Sequence, residues 1–129
     1  MLATQNRMRS STDFSNTVRS GARIGRRNLV LYAIAVPAVE PTRVGFIVAK
    51  SVGNAVARNL VKRRLREAAA VTVRHHPTGL NIVVRALPAS AGSDWTGLCH
   101  DYRSAWGKVS LRLPAGSVTL TEVEGTGRP

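Results

Sequence analysis

The stretch GNAVARNLVKRRLRE, residues 53–67, limits more than any other what this chain can fold into. It packs five cationic side chains into the nine residues from Arg58 to Arg66 and still keeps an apolar periodicity. At about 100° per residue, Val61, Leu65, Ala68 and Thr72 fall within about 60° of one another, which predicts a helix with one buried face. Arg58, Lys62 and Arg66 form a second stripe, with Asn59 and Arg63 just beyond it, while Arg64 points away from both. A helix that needed only solubility would mix acids with its cations. This one has a single acid, Glu67, at its far end. Like charges so close repel one another, so the helix must be held by its buried face and relieved by a polyanion. A basic run is also read as a solvated face, and the rest of the chain has to decide.

The charge balance supports the polyanion. Nineteen Lys and Arg against seven acids give the 129-residue chain a formal charge of +12. Residues 1–27 hold six Arg and one acid, and residues 43–85 hold nine cations and one acid. Two of the seven acids lie in the last eight residues, so the basic excess belongs to the folded part. That balance suits nucleic acid, and less often an anionic membrane surface. The bias of Arg over Lys suits phosphate recognition but also follows from genomic composition. The single cysteine, Cys99, excludes an intramolecular disulfide and fits a reducing compartment. No apolar run reaches membrane-spanning length and the N-terminus lacks an apolar secretory core, so the expectation is a soluble, cytoplasmic protein.

The length suits one domain, expected over residues 1–113, with a Gly/Thr/Pro-rich tail over 114–129 expected to be disordered. Residues 1–10 read as basic and extended. Ser10, Ser11 or Thr12 can cap a first short helix in which Phe14 and Val18 meet at i, i+4 and Gly21 is the stop. Alternation predicts strands over Asn28–Val36, Arg43–Lys50 and Asn81–Ala86, with Tyr32 on the face of Val30 and Ile34. Gly53 and Asn54 suit a turn and a cap before the basic helix, a junction that offers backbone N–H groups to an anion. Ser93 or Asp94 caps a last helix whose stripe runs Trp95, Leu98, Tyr102, Ala105 and Val109, with Trp106 beside it. The order α-β-β-α-β-α, with room for another short strand, implies helices packed on one small sheet.

A catalytic site is hard to assemble from these residues. Asp13 and Asp94 sit at helix starts, Glu67 and Asp101 on helix exteriors and Glu40 in a turn, and no pair has a spacing for acid–base work. His75 and His76 precede a proline, as exposed loop residues do, and no metal site is expected there. A binding surface is easier to build. Phe14, Tyr32 and Phe46 are candidate stacking platforms beside the cations, although Phe46 alternates with Val44 and Val48 as a core residue would. Trp95 and Trp106 are most simply packing residues.

At this point the residues resemble a family. The basic stretch, preceded by RVGFIVAK at residues 43–50, is similar to the signature of the bacterial ribonuclease P protein subunit. The Arg-Asn-x-x-Lys-Arg-x-x-Arg pattern falls on Arg58, Asn59, Lys62, Arg63 and Arg66. The similarity extends to Asp13-Phe14, Gly21, the Asn28–Tyr32 strand and the Asn81–Arg85 strand, about residues 5–113 in all.

The resemblance implies an α+β fold, a two-layer α/β sandwich like the second domain of ribosomal protein S5. Its order is α-β-β-(β)-α-β-α with a left-handed β-α-β crossover, where chain pattern alone argues for the right-handed form. It implies a protein that is monomeric alone and partners a catalytic RNA. That RNA removes the 5′ leader of precursor tRNA with magnesium bound mainly by the RNA. Arg58, Asn59, Lys62, Arg63 and Arg66 then contact the catalytic RNA, with Lys50 at the adjoining strand end. Phe14 and Tyr32 match aromatic leader-cleft positions, and a third such position, often aromatic in the family, falls on Val18. The alternatives are a general RNA-binding module, which would bind leader-bearing and mature tRNA equally, and a protein-only endonuclease, which needs a carboxylate cluster not found here.

Overall fold

Alternation in the strands decides the architecture of this computed structural model, which describes residues 2–114. Helix α1 (Ser11–Ser20) leads into strands β1 (Ala22–Gly25), β2 (Leu29–Ala35) and β3 (Arg43–Ile47). Helix α2 (Ala55–His75) connects β3 to β4 (Leu80–Ala86), and α3 (Trp95–Val109) follows. The sheet order is β1-β2-β4-β3, with β3 and β4 parallel and the other pairs antiparallel. The expected tail lies outside the described residues, apart from Pro114.

Odd and even residues of the central strands enter different cores. Leu29, Leu31 and Ala33 of β2, with Leu80, Ile82, Val84 and Ala86 of β4, pack with Val61 and Leu65 of α2 and with Leu98, Tyr102 and Trp106 of α3. Val30, Tyr32 and Val83 join Met8 in a smaller cluster on the opposite face, where Phe14 and Val18 of α1 pack against it. The molecule is therefore more than a two-layer sandwich: α1 adds partial cover to the second face. Thr72 and Tyr102 share a buried hydrogen bond of 2.8 Å that ties α2 to α3.

The extra short strand lies between Gly21 and the first of the three expected strands. β1 pairs with β2 through Ala22↔Ala33 to Gly25↔Val30. Gly21 makes the bend by close approach, since a Cβ there would fall 2.8 Å from the Ala33 carbonyl oxygen. The second strand of the expectation stops early, at Ile47, and a 3₁₀ turn over Lys50–Val52 leads into α2.

Four expectations are corrected in the packing. Trp95 is 40% exposed and Trp106 is the tryptophan in the core. His76, just past the end of α2, is buried rather than exposed, its ring 5.7 Å from that of Trp106. Asp101 is half-buried, accepting hydrogen bonds from the Asn28 backbone N–H (3.0 Å) and Nδ2 (2.9 Å). Residues 1–10 are not extended throughout: Thr4–Asn6 form a 3₁₀ turn, and the Met8 N–H donates to the Val44 carbonyl (3.0 Å) and Asn6 Nδ2 to the Thr42 carbonyl (2.8 Å), which covers the β3 edge.

Candidate nucleic-acid interface

Asn54 starts the basic helix as expected, its side-chain oxygen accepting from the Ala57 N–H at 2.9 Å. From there α2 buries Val61, Leu65, Ala68, Ala69 and Thr72, as its apolar stripe requires. The burial of that stripe forces the cations to the rim and the outer face. Asn59 and Arg63 are exposed, while Arg58, Lys62 and Arg66 are half-buried along one flank. Lys50 is exposed in the turn before the helix.

No acid among the described residues forms an ion pair with these cations. Among the described residues the one ion pair within 4 Å joins Arg43 and Glu40, at 3.2 Å. The Nε of Arg58 is buried and has no hydrogen-bond acceptor among the described residues. A buried donor left without an acceptor costs stability, and the outward-facing guanidinium and ammonium groups of this face remain free to bind anionic oxygens.

The flank of Lys62 and Arg66 opens onto the edge of β3. There a groove of about 270 Å³ is lined by both cations, by Arg7 and Arg9 of the N-terminal segment, and by the rings of Phe14 and Phe46. Phe14 reaches this edge because Gly45 has no side chain; a Cβ on Gly45 would collide with the ring's Cε1 and Cζ. The structure thus brings Phe14 together with Lys62 and Arg66. Arg58, Asn59 and Lys50 do not line this groove, and Arg63 lines another.

Val18 and Tyr32 occupy the same face of the sheet as Phe14, and Tyr32 lies deeper. Val18 is half-buried against the second core cluster, and Tyr32, only 3% exposed, is part of that cluster. The Arg85 guanidinium stands 5.8 Å from the Tyr32 ring centroid, a cation–π contact that places another cation on this face. Phe14 is thus the more accessible ring of the two. Sequence reasoning passed over Arg7, Arg9 and Gly45. The alternation of exposed Arg7 and Arg9 with buried Asn6 and Met8 was the available signal for the first two.

The described acids are not arranged for hydrolysis. Asp13 lies in the first turn of α1, where its N–H is capped by Ser10, and Asp94 caps α3 through the Gly97 N–H at 2.8 Å. Glu40 is paired with Arg43, and Asp101 is held by Asn28. Among the described residues no group of three or more His, Cys, Asp or Glu side chains is placed to hold a metal ion. No described helix is long and apolar enough to cross a membrane.

The comparisons with known proteins agree with this geometry. The family model for Ribonuclease P matches residues 2–110. The chain is 58% identical over 134 aligned residues to the ribonuclease P protein component of Arthrobacter sp. (strain FB24), covering 100% of this chain and 98% of that one. With the ribonuclease P protein component of Pseudarthrobacter chlorophenolicus it shares 69% identity over 113 residues, 88% of this chain and 83% of the relative. Among solved structures, a Staphylococcus aureus RNase P protein mutant with defective mRNA degradation activity superposes with a TM-score of 0.73 at 26% identity, covering 81% of this chain and 88% of that one. With matched residues spanning nearly the whole described fold and its cationic helix, the chain belongs to the ribonuclease P protein family, as a protein component of the ribonucleoprotein that matures tRNA 5′ ends.

Proposed function

We propose that the molecule divides its work between two RNAs. α2 grips the catalytic RNA of ribonuclease P through Arg58, Asn59, Lys62, Arg63 and Arg66, with Lys50 beside them. The β3-edge groove receives the single-stranded 5′ leader of precursor tRNA on Phe14, with Val18 and the buried Tyr32 on the face behind it supporting that ring. The observation that carries this reading is the meeting of Phe14 with Lys62 and Arg66 in one groove. A stacking ring flanked by cations fits a single strand whose bases are free and whose phosphates are charged.

Two physical effects follow. Cations lower the repulsion between substrate and catalytic RNA, so precursor binds and magnesium accumulates where the RNAs meet. Contacts to the leader exist only for the precursor, so precursor is favoured over mature tRNA. Magnesium belongs to the family's activity, but the described acids are capped, paired or scattered and do not fit an ion cage. No step of hydrolysis is assigned to this chain. The β3–α2–β4 unit is taken to cross over in the left-handed sense, supported by the similarity to solved RNase P proteins.

Reconstitution tests the reading. Cleavage of precursor tRNA in magnesium is measured with RNA subunit alone, protein alone, and both. The expected result is cleavage at low magnesium only with both; robust cleavage by protein alone would overturn it.

A further inference from the structure

A second groove, of about 490 Å³, lies on the other flank of α2, facing the start of α3. Leu60, Arg63, Arg64 and Glu67 line one wall at i, i+3, i+4 and i+7, and Trp95 forms the other. Of these residues only Arg63 has a part in the function described above. Arg64 lies off both stripes of the helix, and Trp95 is a tryptophan that the core does not use, 40% exposed beside a helix end. Arg64 is held in place: its Nη1 donates to the Ser93 carbonyl at 2.9 Å, which fixes the two walls relative to each other.

We propose that this groove takes one unpaired nucleobase of the catalytic RNA. The Trp95 indole supplies the stacking face and Leu60 the apolar floor. Arg63, already part of the RNA-facing pattern, holds the adjoining phosphate. Glu67 accepts from amino or imino groups on the base edge, which gives the one acid of the basic stretch a role. Charge complementarity argues for RNA as the occupant: two arginines border the indole, and the groove continues the outer face that carries Asn59 and Arg63. The groove lies across α2 from Phe14, which assigns it to the catalytic RNA rather than to the leader.

This inference rests on the assignment of α2 to the catalytic RNA, and the experiment separates the two. Full-length protein is titrated with the RNA subunit while tryptophan emission is followed. Trp106 is 1% exposed, so a change in emission and in acrylamide accessibility on binding reports Trp95. The expected result is quenching and shielding in the wild type, both lost in Trp95→Phe. Affinity should fall about 5- to 150-fold in Trp95→Ala, the range for losing one stacked base, and largely recover in Trp95→Phe. Glu67→Ala discriminates further. Deleting an acid from an RNA-facing surface tightens a purely electrostatic contact, whereas here it should weaken binding. Unchanged Trp95 emission, unchanged affinity in Trp95→Ala, or tighter binding by Glu67→Ala would overturn the base site. Arg58→Ala is measured in parallel: if it too leaves affinity unchanged, the assignment of α2 itself fails, whereas weakening by Arg58→Ala alone removes only the groove.

Discussion

Phe14 stands at the β3 edge because Gly45 makes room for it, and that pair tests the leader cleft at single-residue scale. Phe14→Ala should lower the preference for precursor over mature tRNA by about 5- to 150-fold if one base no longer stacks on its face. Gly45→Ala, which displaces the ring without removing it, should lower the same preference in the same direction, read as the ratio of the two dissociation constants. Tyr32 behaves differently. Strand alternation alone predicts an outward ring open to a base, so that Tyr32→Ala would lose discrimination with folding preserved. At 3% exposure the ring is core material, and its removal should cost about 3–5 kcal/mol by the usual cost of deleting a buried aromatic. A fall in the denaturation midpoint checks this; unaltered stability would contradict its place in the core. Burial of this kind was not legible because alternation assigns Tyr32 to a face but cannot say that α1 and Met8 pack on that face and close a buried cluster around it.

At the scale of elements, α2 was the most legible part of the molecule. One helix needs one buried face, and residues spaced at 3.6 must supply it, so Val61, Leu65, Ala68 and Thr72 were readable from their spacing alone. Its cations then had nowhere to go but the rim and the outside. The double variant Arg58→Ala with Arg63→Ala should weaken binding to the catalytic RNA and flatten the dependence of log affinity on log salt. The slope should change by about one to two, about one for each phosphate no longer neutralised. An unchanged slope would remove the phosphate role. The strand β1 was harder to foresee, since four residues, ARIG, carry little periodicity. Its hairpin is held instead by tertiary bonds, Asn28 to Asp101 and Arg26 Nε to Ser104 Oγ at 2.9 Å. Asp101→Ala should therefore lower stability by about 1.5–3 kcal/mol, as for hydrogen bonds to a charged group, and leave affinity for the catalytic RNA unchanged.

On the scale of the whole molecule, the sheet separates two tasks. One face is filled by α2 and α3 and gives a large core; the other is only partly covered by α1, leaving a groove at the β3 edge between the N-terminal segment and the flank of α2. The element order and the cationic pattern were both legible, because each is local. The meeting of residues 7–9, Phe14 and residues 62–66 was not, since it depends on β3 being an edge strand that the N-terminal segment covers. The account stands on that junction serving both RNAs. The most direct test measures the affinity of the reconstituted holoenzyme for precursor tRNA with and without a 5′ leader, in the wild type, Phe14→Ala and Arg58→Ala with Arg63→Ala. The account predicts that Phe14→Ala loses the leader's contribution while keeping its affinity for the catalytic RNA, and that the double variant loses that affinity. Equal leader discrimination in the wild type and Phe14→Ala, at equal holoenzyme occupancy, would contradict it.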